Sequence, residues 1–84
     1  MDSKHTFGKN LKYYRYRKKL TQAQLAEKIG ISTNHLGRIE RGSHSTDFDI
    51  IDKISEELDV RPFELFLEPK NLTLPRRVDM QDKE

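Results

Sequence analysis

The chain contains no cysteine, which excludes disulfide staples and thiolate metal ligands. No apolar run approaches the roughly 20 residues that a membrane span needs. The opening MDSKHTFGKN has no apolar stretch of the signal-peptide type. A soluble, cytoplasmic protein with no membrane partner is the expectation. Strand-like alternation is scarce, and no segment repeats. The sequence has no Gly-rich phosphate loop and no Gly-flanked nucleophile elbow. Asp47, Asp49 and Asp52 lack the glycine and terminal glutamate of a calcium loop. His5, His35 and His44 stand at spacings that match no common zinc motif. The reading is therefore of a non-enzyme with no catalytic residues, no metal and no cofactor. At 84 residues there is room for one domain, whose core must be compact.

The charge is unevenly distributed. Residues 1–43 hold ten Lys/Arg against three Asp/Glu, a balance of +7, whereas residues 44–84 hold six against eleven, a balance of −5. A basic front of this kind is the electrostatic footprint of a phosphate-backbone partner. The acidic back belongs on a face turned away from such a partner.

Apolar residues recur at helical spacing. Phe7, Leu11 and Tyr14 share one face of a first helix, expected over about residues 6–18. Thr21 can cap a second helix that buries Leu25, Ala26 and Ile29 and ends at Gly30. Ser32 can cap a third, about residues 33–40, with Leu36 and Ile39 inward. Asp47 caps a fourth, where Phe48, Ile51, Ile54, Ser55 and Leu58 form one stripe. Pro62 opens a short fifth helix anchored by Phe63, Leu65 and Phe66. After Leu67 the periodicity fails, and Glu68–Glu84 reads as an extended or disordered tail. The fold class expected is all-α: a compact five-helix bundle over residues 1–67 with an irregular tail over 68–84.

The informative stretch is Thr21–Glu40, TQAQLAEKIGISTNHLGRIE. Two short helices joined by a tight Gly-containing turn make a helix-turn-helix, whose second helix can lie in a major groove. Thr33, Asn34, Gly37 and Arg38 are expected on the outer surface of that helix. Arg can donate two hydrogen bonds to guanine and Asn can pair with adenine, while Ser32 and Thr33 can reach a base edge or a phosphate. His35, when protonated, can contact phosphate.

Phe7-Gly8, Leu11, Arg15, Leu20-Thr21-Gln22, Leu25-Ala26, Ile29-Gly30-Ile31-Ser32, Ile39-Glu40-Arg41-Gly42 and Ile54 through Leu58-Asp59-Val60 together resemble the Cro and phage-repressor (Xre-like) family of helix-turn-helix domains, from Phe7 to Phe66. The resemblance implies a five-helix bundle, a prokaryotic or phage-encoded source, and a homodimer on a near-palindromic site in double-stranded DNA. It implies base-reading roles for Thr33, Asn34 and Arg38. It places Gln22, Arg41 and Ser43 on backbone phosphates, with Gln22 also bracing the recognition helix. Arg15 and Glu40 correspond to an ion pair tying the first helix to the third. Thr46 and Ser55 depart from the family's usual proline and alanine. The expected output is transcriptional repression by occlusion without a small-molecule effector. An adaptor or antitoxin acting through a protein partner is the alternative. Ile50, off the core stripe, and Leu67, Leu72 and Leu74 are the residues expected to supply a dimer surface.

Overall fold

Side-chain caps decide where each of the four α-helices described begins. The computed structural model describes residues 2–68. Four α-helices follow one another, α1 (Ser3–Arg17), α2 (Gln22–Ile29), α3 (Thr33–Glu40) and α4 (Phe48–Leu58), and then a 3-10 helix, Pro62–Phe66. No strand occurs among the described residues. Leu72, Leu74 and the expected tail beyond Glu68 lie outside them.

α1 starts at Ser3, earlier than the apolar periodicity implies, because Asp2 caps it by accepting from the Lys4 amide at 3.0 Å. The His5 ring bonds the other Asp2 oxygen at 2.8 Å, and that bond holds the Asp2 carboxyl below the usual carboxylate range. Thr21 and Gln24 form a reciprocal capping box at α2, Thr21 Oγ1 accepting at 3.0 Å and Gln24 Oε1 at 2.9 Å. Ser32 accepts from His35 N, and Asp47 accepts from Ile50 N. α2 ends with Gly30 at φ 78°, and Ile31 N donates to Ala26 O in the tight reversal that follows. Each cap satisfies amides or carbonyls that the helix itself leaves open.

The fifth element is a 3-10 turn rather than an α-helix. It is only five residues long, begins with a proline that has no amide, and has no side-chain cap. Asn10 Nδ2, buried on α1, donates to Leu65 O at 2.9 Å and to Leu67 O at 2.8 Å. A side chain thereby takes the carbonyls that a further helical turn would have used, and the chain stops coiling.

The core consists of Phe7, Leu11, Leu25, Ala26, Ile29, Leu36, Ile39, Ile51, Ile54, Leu58 and Leu65. Three expected anchors are missing from it. Phe48 is 83% exposed, Phe63 55% and Phe66 45%. Phe48 is the first residue of α4, at the edge of its apolar stripe, and Ile51 one turn later already makes the core contact. In the 3-10 turn Leu65 alone faces fully inward, while Phe66 rests its ring on Phe7 with centroids 5.1 Å apart. Tyr14 is only half-buried against the core, and burial, aided by Glu64's charge, pushes its phenol upward. Ser55 is buried and donates to Ile51 O at 2.9 Å, so its hydroxyl is satisfied within its own helix.

α1 crosses α3 at Gly8. A Cβ there would fall 2.6 Å from Ile39 O and closer still to Glu40 O. These are backbone atoms of a packed helix and have little room to yield. Gly8→Ala gains about 1 kcal/mol of helix propensity but forces the two helices apart, an overpacking cost of about 1–3 kcal/mol or more. The expected net result is a less stable protein with a lower midpoint in urea unfolding; an unchanged or raised midpoint would show that the crossing is loose.

Candidate nucleic-acid interface

Leu36 and Ile39 anchor α3 in the core, and a polar network fixes its far end. Glu40 is buried at the last position of the helix. Arg15 Nε donates to Glu40 Oε2 at 2.6 Å and Arg15 Nη2 to Oε1 at 3.0 Å, a two-pronged pair with side chains only 5% and 3% exposed. Arg15 Nη1 donates to Leu20 O at 2.9 Å, and the guanidinium lies 5.0 Å from the Tyr16 ring centroid. Gln22, the first residue of α2, donates from Nε2 to Glu40 Oε1 at 2.9 Å. One carboxylate thus holds α1, α2 and α3 in a fixed relation.

The opposite face of α3 is open. Ser32, Thr33, Asn34 and Arg38 are all exposed, on a surface that the core leaves free. His35 is half-buried and meets His44 edge-to-face, with centroids 5.2 Å apart. Beyond the helix, Gly42 turns at φ 78° beneath the His5 ring. Ser43 turns back on α3: its amide and its hydroxyl both donate to Arg38 O, at 3.0 and 3.2 Å. The expected base-facing residues therefore lie together on one helix surface. Gln22 at the start of α2, with Arg41 and Ser43 just past the end of α3, borders it.

Gly37 differs from its expected exposed position: it is buried. A Cβ on it would lie 3.3 Å from Arg41 Nη1, 3.7 Å from Gln22 Nε2 and 3.8 Å from Gln22 Oε1. Long side chains from the next turn and from α2 cover it, an arrangement that helical periodicity does not encode.

Two of the residues expected to supply a dimer surface lie among the described residues. Ile50 is half-buried against the core, and Leu67 is 53% exposed. Leu72 and Leu74 lie outside the described residues. Phe48, Phe63 and Phe66 are the exposed apolar residues that periodicity assigned to the interior; the position of Phe48 at a helix start was the available signal. Among the described residues, no group of three or more His, Cys, Asp or Glu could hold a metal ion. No helix among them is long and apolar enough to cross a membrane.

The family model described as helix-turn-helix matches residues 11–65. Antitoxin PezA of Streptococcus pneumoniae serotype 4 is 38% identical over 65 residues, which are 77% of this chain and 41% of that protein. The HTH-type transcriptional regulator YqaE of Bacillus subtilis is 43% identical over 54 residues, 64% of this chain and 47% of that protein. The chain thus spans less than half the length of either relative. Among solved structures, the restriction-modification controller protein C.AhdI of Aeromonas hydrophila superposes with a TM-score of 0.70 at 35% identity, covering 74% of this chain and 94% of that one.

The Arg15–Glu40 pair gives a direct stability test. Glu40→Ala leaves the Arg15 guanidinium buried without its partner, and the expected loss is about 3–5 kcal/mol. Replacing both residues, Arg15→Met with Glu40→Leu, removes the uncompensated charge and is expected to recover most of that loss in urea unfolding. Equal losses for the single and double variants would mean that an uncompensated Arg15 charge is not the source of the loss.

Proposed function

The chain belongs to the helix-turn-helix family, of the Xre/Cro type, and on that premise we propose that it binds double-stranded DNA sequence-specifically as a transcriptional regulator. The observation that carries this reading is the open face of α3. Thr33, Asn34 and Arg38 are exposed together on a helix whose other side is locked by Leu36, Ile39 and the buried Arg15–Glu40–Gln22 network. A recognition surface must be held rigidly and carry groups that match base edges, and this one does both.

In this mechanism Thr33, Asn34 and Arg38 read bases in the major groove. Gln22, Ser32, His35 and Ser43, arranged around the N-terminal ends of α2 and α3 and the following turn, contact phosphates and set register. The basic charge of residues 1–43 supplies the long-range attraction. α4, with Asp49, Asp52, Glu56 and Glu57, faces away from the duplex. Residues 1–67 form the DNA-binding unit, and 68–84 serve as an arm.

Two copies related by a two-fold axis would set their α3 helices about 34 Å apart, one turn of DNA, on a near-palindromic site. Leu67, Ile50, Leu72 and Leu74 remain the proposed dimer contacts, and the exposed Phe48, Phe63 and Phe66 add apolar surface that a partner can cover. Repression by occlusion is the output proposed, in a prokaryotic cytoplasm. The likeness to an antitoxin and the exposed aromatic side chains support a second reading, in which the same module serves a protein partner. The stronger support lies with DNA, because the matched region is the helix-turn-helix itself.

Selection of bound sites from a random duplex pool, followed by affinity measured against salt, tests the proposal. The expected result is a palindrome with half-sites one turn apart, bound with an affinity that falls steeply as salt rises. Arg38→Ala is expected to lose about 1–3 kcal/mol per half-site and to relax the preference at one base pair. Binding with no motif and no dependence on Arg38 would move the function to a protein partner.

A further inference from the structure

Arg41 follows the last residue of α3, where the resemblance places it among phosphate contacts. Its side chain folds back along α3. Its Nη1 lies over Gly37, four residues back, at a spot that a Cβ would approach to 3.3 Å. Residues four apart share a helix face, so Thr33, Gly37 and Arg41 form one row along the recognition helix. Helical side chains lean toward the N-terminus, the end of a recognition helix that meets base edges. Arg41 is exposed, so donors of its guanidinium remain available to a ligand.

From this geometry we infer that Arg41 is a base-reading residue and that Gly37 is the positioning residue that gives it its place on α3. The inference rests on the DNA-binding function proposed above and extends its reading surface from three side chains to four. A glycine in a helix interior costs about 1 kcal/mol relative to alanine. The position its Cβ would take lies 3.3 Å from Arg41 Nη1 and 3.7 Å from Gln22 Nε2. Gln22 is itself tied to buried Glu40, so the bare backbone at Gly37 is covered by the guanidinium and by a restrained side chain. Holding a long side chain in place before binding reduces the rotamer freedom lost when it meets its target. The chemistry that suits a guanidinium at this level of the groove is the O6 and N7 edge of guanine, which accepts two parallel hydrogen bonds.

The test uses the full chain, the site selected by the wild type, and duplexes in which each base pair of that site is exchanged in turn. Arg41→Ala is expected to abolish the preference for a G·C pair at one position of each half-site, a loss of about ten- to a hundred-fold, while the other positions keep theirs. Gly37→Ala is expected to weaken the preference at that same position several-fold and to add nothing in the Arg41→Ala background. Thermal unfolding of each variant checks that the fold is intact. If Arg41→Ala weakens every duplex equally and makes the salt slope shallower by about one, Arg41 is a phosphate contact and the inference is wrong. A Gly37→Ala loss that persists in the Arg41→Ala background would overturn the positioning role. A folded wild type that selects no motif at all would defeat the DNA-binding proposal, and this inference with it.

Discussion

The carboxylate of Glu40 is the point on which the arrangement of the first three helices depends. It is buried at the end of α3, where the unpaired carbonyls of the helix also concentrate negative charge. A lone ionised carboxylate there would be strongly unfavourable. Arg15 from α1 and Gln22 from α2 together direct three hydrogen bonds at its two oxygens. The pair's worth lies less in net stability than in orientation, since a hydrophobic replacement of equal shape can be as stable. The apolar contacts of Leu36 and Ile39 turn one face of α3 to the core. The polar network adds a directional restraint at the end of the helix, and together they set the way in which Thr33, Asn34 and Arg38 face.

The close approach of α1 to α3 has the same consequence from the apolar side. Gly8 lets α1 rest on the carbonyls of Ile39 and Glu40, next to where Arg15 reaches across. A bulkier residue at Gly8 would move α1 outward, and the short bonds of the network would lengthen together. The turn after α3 is tied down in its own way, by Ser43 on the Arg38 carbonyl and by Gly42 under His5. The open face of α3 is therefore supported from behind and at its end, while Thr33, Asn34 and Arg38 on it are exposed.

Much of this was legible from residue types. Thr21, Ser32 and Asp47 announce helix starts because a short oxygen-bearing side chain suits an open amide turn. Gly30 announces an end because its left-handed conformation is open to glycine without strain. These caps and stops, with the apolar spacing between them, located α2 and α3. Where periodicity failed, the cause was local. At Phe48 a helix had just begun, and the side chain is 83% exposed; at Pro62–Phe66 a side chain from α1 claimed the carbonyls. The start of α1 was missed because Asp2 precedes the first apolar residue by several positions.

The sequence by itself determined the element order, the helix-turn-helix, the charge asymmetry and the exposure of Thr33, Asn34 and Arg38 on α3. Each of these depends on residues close together in the chain or on a repeating spacing. Only the tertiary structure decided that Gly37 is buried, that Arg41 lies over it beside Gln22, and that Asn10 ends the fifth element as a 3-10 turn. These outcomes depend on which side chain reaches a vacant space or an open carbonyl first. That contest is settled by packing between segments up to 57 residues apart, which no local pattern records.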